Sequence, residues 1–197
     1  MSLELVNTLA TFGTFVVIAA TAIAAIVQLR HARSSNQIVA LNELREMMEA
    51  PEFVAAFEFI STELSSKLQD SSFRHQWNDR SARTDEGKRP IGKIRTIMNY
   101  YEGMGVLVKT GLVDRELALD MWSEVIIVAW DNLAPFTVMG RRRQRDLCEN
   151  FEYLTVLAQD FLAAHPKGTY PSGVRRIDLK DEWLEADKQY AVSLAPA

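Results

Sequence analysis

The chain has 197 residues, 48% of them hydrophobic and 24% charged, with one cysteine and a net charge of −4. That composition excludes a disordered chain, a disulfide scaffold and a polytopic transporter, and the acidic balance disfavours nucleic-acid binding. A simple cytosolic globule is excluded too, because Leu5 to Leu29 carries no charge while nearly every ionisable residue lies after it.

A helix rises about 1.5 Å per residue and a bilayer core is about 30 Å thick, so roughly 20 apolar residues are needed to cross. The run Leu5 to Leu29 exceeds that, with no proline inside it. A cleaved signal peptide is the competing reading, with Ala20, Ala22 and Ala24 as mimics of a cleavage site. Two features favour a retained anchor. The only charged side chain before the span is Glu4, whereas a signal peptide opens with cations, and its apolar run is typically shorter. Arg30 and Arg33 follow the span, with His31 between them. Flanking cations stay on the cytoplasmic side, so the expected placement is single-pass in an inner (cytoplasmic) membrane. The N-terminus is then outside and the rest cytoplasmic. The lone Cys148 fits a reducing compartment.

Within the span Asn7, Thr14, Thr21 and Gln28 recur every seven residues, and Ala10, Ala24 and Ala25 lie near the same stripe. That spacing drifts only about 20° per repeat, so one face is small and polar. The opposite face carries Phe12, Phe15, Ile23 and Ile26. Small residues let membrane helices approach closely, and hydroxyls and amides bond across them. Asn7, Thr14, Thr21, Ala24 and Gln28 are therefore the candidate partner-binding residues. The plainer alternative is that each threonine bonds a preceding carbonyl of its own helix.

Beyond the anchor helical spacing dominates and no strand alternation is found. Neither proline nor glycine occurs from Thr14 to Ala50, so the membrane helix either runs on as a stalk or yields to a new helix capped near Ser34, Ser35 or Asn36. Ile38, Leu41, Leu44 and Met48 mark an apolar face, and Pro51 ends it while opening the next helix. That helix has its stripe at Phe53, Phe57, Ile60, Leu64 and Leu68. Asp70 to Pro90 is polar and reads as an exposed loop, anchored by Phe73 and Trp77. Ile94, Ile97, Met98, Tyr101, Met104 and Val108 form another helical face, closed by Gly111, and Asp114 is placed to cap the helix after it. Met121 to Trp130 is apolar nearly all round and is expected to be the central helix. Pro135 is expected at a boundary, and Leu147 to Leu162 mark a last helix that ends before Pro166. The tail reads as a linker and a short amphipathic helix with Trp183, Leu184 and Tyr190. The expected fold is all-α: a transmembrane helix followed by a cytoplasmic bundle of about five helices. Its divisions are 1–33 for anchor and flank, 34–166 for the helical domain and 167–197 for the tail.

Few residues suggest chemistry. Glu102 lies in a helix that must be largely buried, where a carboxylate needs a cation or several donors. The expectation is a structural ion pair between Glu102 and Arg142, with a general acid or base as the alternative. Arg141, Arg142, Arg143 and Arg145 are candidate anion or lipid contacts. Asp146, Glu149 and Glu152 follow them directly, which favours internal pairing on a solvated face. His31, His75 and His165 are scattered and form no metal set. Glu43, Glu46, Glu49 and Glu52 drift around their helix as a solvated face. Gly103-Met104-Gly105 is no phosphate loop; inside a helix its glycines permit a close crossing. No catalytic residue, cofactor or small-molecule substrate is indicated.

Asn99-Tyr100-Tyr101-Glu102, Gly111-Leu112-Val113-Asp114, Trp130, Arg141 and Glu149-Asn150-Phe151-Glu152-Tyr153-Leu154, following a single amino-terminal span, resemble a bacterial family of membrane-anchored helical proteins known only as domain of unknown function DUF4760. The likeness covers about Ala22 to Ala164. It implies a bacterial inner-membrane protein with a helical cytoplasmic body and supplies no activity. The function expected is a non-catalytic accessory or scaffold subunit of a membrane complex, with membrane lipid and another membrane protein as partners. The alternatives are a tethered sensor that binds a ligand or anionic lipid, and an enzyme using Glu102.

Overall fold

The structure is a computed structural model that describes residues 3–193, all of them helix or irregular. The side chains of Ala10, Arg33 and Ser34 lie outside the described ones. The chain divides into two units, residues 1–166 and 167–197.

The first unit begins with α1 (Leu3–Glu49), which at about 1.5 Å per residue is about 70 Å long. The absence of proline and glycine after Gly13 lets it continue unbroken, so the stalk is realised and no new helix starts at Ser35 or Asn36. From Thr11 to Ala32 only Ala19 is even half-buried. The last turns join the body: Leu44 is buried, with Ala40, Leu41 and Met48 packed beside it. Ala50 takes an extended backbone and Pro51 opens α2 (Pro51–Thr62), where a missing N–H costs nothing.

The predicted helix through Leu68 is interrupted at Glu63, after which α3 (Leu64–Lys67) forms one further turn. The stretch 70–90 departs further from the expected loop. Asp70 accepts from the Ser72 N–H at 2.8 Å and starts α4 (Ser71–Asn78). Phe73 and Trp77, four residues apart on that helix, are both buried. Only residues 79–84 remain as a connection. Thr84 then caps α5 (Asp85–Lys109), accepting from Gly87, and Pro90 sits inside this helix in its second turn.

The C-terminus of α5 closes as expected. Gly111 has φ 71°, its N–H bonds Val108 O at 3.1 Å and the Leu112 N–H bonds Leu107 O at 3.0 Å, the paired pattern of a left-handed helix stop. Asp114 accepts from Leu117 at 2.9 Å and opens α6 (Arg115–Arg141). Pro135 lies within α6 and bounds nothing, since Leu133, Phe136 and Thr137 are buried on either side of it and hold the helix in line. Nor is α6 buried all round: Leu119, Trp122, Ile126, Ala129 and Leu133 face the core, while Val128 remains 45% exposed. α7 (Glu149–Ala164) ends before Pro166.

Helix α7 packs against both α5 and α6, and α2 packs on α5. At the centre Tyr101 stacks on Phe151 at 4.9 Å between ring centroids, with Trp130 edge-on to Phe151 at 5.0 Å. Such pairs add about 1 kcal/mol beyond their buried area. The body thus consists of α2 to α7 and the end of α1, with α3 and α4 short. The second unit contains α8 (Leu184–Ser193), on which Tyr190 is exposed, with Trp183 exposed just before it.

Candidate functional site

The first turn of α7 has a problem of its own making. Cys148 stands at its N-cap with φ 58°, a left-handed backbone that offers no side-chain cap; the Glu149 N–H bonds Asp146 O at 3.3 Å, but the N–H groups of Asn150 and Phe151 are left needing an acceptor. Glu102, from α5, supplies it. One carboxylate oxygen accepts from the Phe151 N–H at 2.9 Å, and the other from the Asn150 N–H at 3.3 Å and the Asn150 side-chain amide at 2.7 Å. A negative group at a helix N-terminus also meets the positive end of the helix dipole. Gly105, one turn along α5, makes the approach possible, because a Cβ there would run into the Asn150 carbonyl. Gly103 meets nothing, so the close crossing belongs to Gly105 alone.

The expected ion pair between Glu102 and Arg142 is therefore replaced. Arg142 is exposed just past the end of α6, whereas α7 brings bare backbone donors to the carboxylate. Arg141 provides the strap instead: its guanidinium donates to Leu147 O at 2.9 Å and pairs with Glu152 at 2.6 Å. Arg143 donates to Trp77 O at 2.9 Å and so ties the end of α4 to the loop after α6. Arg145 is exposed like Arg142, and among the described residues no ion pair reaches either one.

Glu102, Arg143 and Cys148 border a cavity of about 680 Å³. Burial and the nearby Glu102 charge push the Cys148 thiol up to about 11, against smaller opposing effects of the Thr137 hydroxyl and Arg141. The thiol is correspondingly unreactive at neutral pH. Two further arginines that line this cavity, Arg80 and Arg95, are not marked out by the sequence. They come from separate segments and share no spacing that would single them out.

On α1 the candidate partner face Asn7, Thr14, Thr21, Ala24 and Gln28 is exposed throughout. The Thr21 hydroxyl donates to Val17 O at 2.8 Å within its own helix, so what this residue offers a neighbour is small size and an acceptor. Among the described residues no three of His, Cys, Asp and Glu gather as a metal set.

A family model described as Domain of unknown function (DUF4760) matches residues 15–161. No curated protein and no solved structure matches the chain.

Proposed function

Because the chain belongs to the DUF4760 family, whose function is unknown, we propose its role from its own geometry: a non-catalytic accessory or scaffold subunit of a bacterial inner-membrane complex. The carrying observation is that the apolar length of α1 is exposed while, among the described residues, the body closes its core with a single buried residue of that helix, Leu44. An exposed apolar run this long needs lipid or a partner around it. It spans once, with the N-terminus outside and the helical body cytoplasmic, the arrangement that Arg30 and Arg33 favour. The face of Asn7, Thr14, Thr21, Ala24 and Gln28 packs against a membrane helix of the partner through its small size.

Replacing Thr14 and Thr21 by leucine adds bulk to that face without reducing hydrophobicity. The partner is expected to be lost on solubilisation in mild detergent; unchanged co-purification contradicts the reading. A tethered sensor is the second reading, favoured by the arginines around the cavity, and it is compatible with the same anchorage.

A further inference from the structure

Three arginines from separate segments line the cavity bordered by Glu102, and a fourth, Arg83, stands beside them. Arg80 and Arg83 lie between α4 and α5, Arg95 lies on α5 and Arg143 follows α6. Arg80, Arg95 and Arg143 line the cavity itself, with Met98, Leu147 and Cys148 supplying apolar wall. Arg83 stands close enough to feel the other three: burial first, then the charges of Arg95, Arg80 and Arg143, lower its affinity for its proton.

None of these arginines has a carboxylate partner among the described residues. Arg83 donates from Nε to Gln76 O at 3.1 Å, but its buried Nη2 has no acceptor. Two carboxylates line the cavity, Glu102 and Asp146. Three lining arginines, with Arg83 beside them, thus outnumber two carboxylates, and the Glu102 oxygens are taken up by α7 rather than by a guanidinium. An acidic chain with 26 carboxylates has gathered an excess of cations at a partly enclosed site, with no ion pair to any of them among the described residues. Arg80 and Arg143 are exposed while Arg83 and Arg95 are half-buried, so the like charges repel with only partial screening, and an anion among them relieves that repulsion.

We propose that this cavity binds a soluble small molecule bearing a phosphate group. Guanidinium groups arriving from several directions suit a tetrahedral oxyanion with several free oxygens better than a carboxylate, which presents one edge. The volume is that of a small-molecule site, and the wall of Met98, Leu147 and Cys148 can take an apolar part of the same ligand.

A bilayer headgroup is out of reach if the apolar run of α1 is the span. Gln37 bonds Gly111 O at 3.3 Å and the Tyr100 hydroxyl bonds Leu44 O at 3.0 Å, so α5 runs from Gly111 towards Tyr100 as α1 leaves the span. Leu44 is already about 22 Å along α1 beyond Leu29, and Arg95 lies more than a turn further along α5. The headgroup layer is only about 5–8 Å thick on each side.

The test uses the full chain in nanodiscs of zwitterionic lipid, with inorganic phosphate and pyrophosphate as probes and sodium chloride at matched ionic strength as control. Thermal unfolding and calorimetric titration are read for the natural chain, Arg95→Gln and Arg80→Gln. Either phosphate probe is expected to raise Tm where chloride does not, and each substitution to weaken binding about tenfold or more, the loss of one charge-assisted hydrogen bond. Arg95→Gln without anion should unfold at a higher temperature than the natural chain, which shows that it folds and that repulsion has been relieved. Equal stabilisation of all three proteins, an equal effect of chloride, or no effect of either probe overturns the proposal. So does arginine-dependent stabilisation by phosphatidylglycerol discs alone, which would make the ligand a lipid headgroup.

Discussion

Glu102 of α5 accepts the backbone N–H of Phe151 in α7 at 2.9 Å, so a side chain of one helix caps the first turn of another. The link fixes where α7 sits along α5, and Gly105 sets how near it comes. Glu102→Ala is expected to lose about 2 kcal/mol, the scale of a lost helix cap with charge-assisted bonds. Glu102→Gln should lose less, since the amide keeps one acceptor while turning donors toward other donors. Urea unfolding of the two variants reads this, and equal stability of both with the natural chain would rule out the cap.

Two glycines two residues apart, on different faces of α5, offer an internal control. Gly103→Ala should stabilise by about 0.5–1 kcal/mol, because no atom outside its own helix lies near and alanine favours helix. Gly105→Ala should destabilise by more than that, because the added methyl meets the Asn150 backbone, which cannot swing aside. Thermal unfolding of the pair should shift in opposite directions.

The Tyr101 hydroxyl is buried with no hydrogen-bond partner, and burial raises its pKa. A buried polar group without a partner costs about 1–3 kcal/mol. Tyr101→Phe keeps the ring stacked on Phe151 and removes that cost, so Tm is expected to hold or rise. Tyr100→Phe loses the bond to Leu44 O, which ties α1 to the body, and should lower it.

The Cys148 thiol, pushed up to about 11 by burial and by Glu102, is about one-thousandth ionised at pH 8. Raised pKa keeps the group neutral through the physiological range, so alkylation should be slow in the native state and become fast on unfolding. The measurement is the rate of iodoacetamide labelling with and without urea, from pH 7 to 9. A native rate equal to the unfolded rate would contradict the burial.

Local signals carried well from sequence to fold. Pro51 at the start of α2 and the Gly111 stop followed by the Asp114 cap depend on residues within one turn of each other, whereas the continuous α1 is one of two readings that the sequence leaves open. Helix α4 was hidden by its polar composition, although the Asp70 cap and the pair Phe73 and Trp77 were its visible signals. Pro90 and Pro135 read as boundaries because proline removes one helical bond, a cost that surrounding core contacts outweigh here. The partner of Glu102 was illegible for a different reason. The need for a cap appears only with the left-handed backbone of Cys148, and the donors come from 48 and 49 residues away. The arginine cavity likewise exists only after α4, α5 and α6 have been assembled.

The proposed role depends above all on α1 holding the body at the cytoplasmic face of a membrane. The direct measurement is protease digestion of the full chain in intact spheroplasts and in inverted membrane vesicles, after showing that it resists alkaline extraction. Protection of the body in spheroplasts and cleavage in inverted vesicles is the predicted result. Extraction into the soluble fraction, or cleavage of the body in intact spheroplasts, would contradict it.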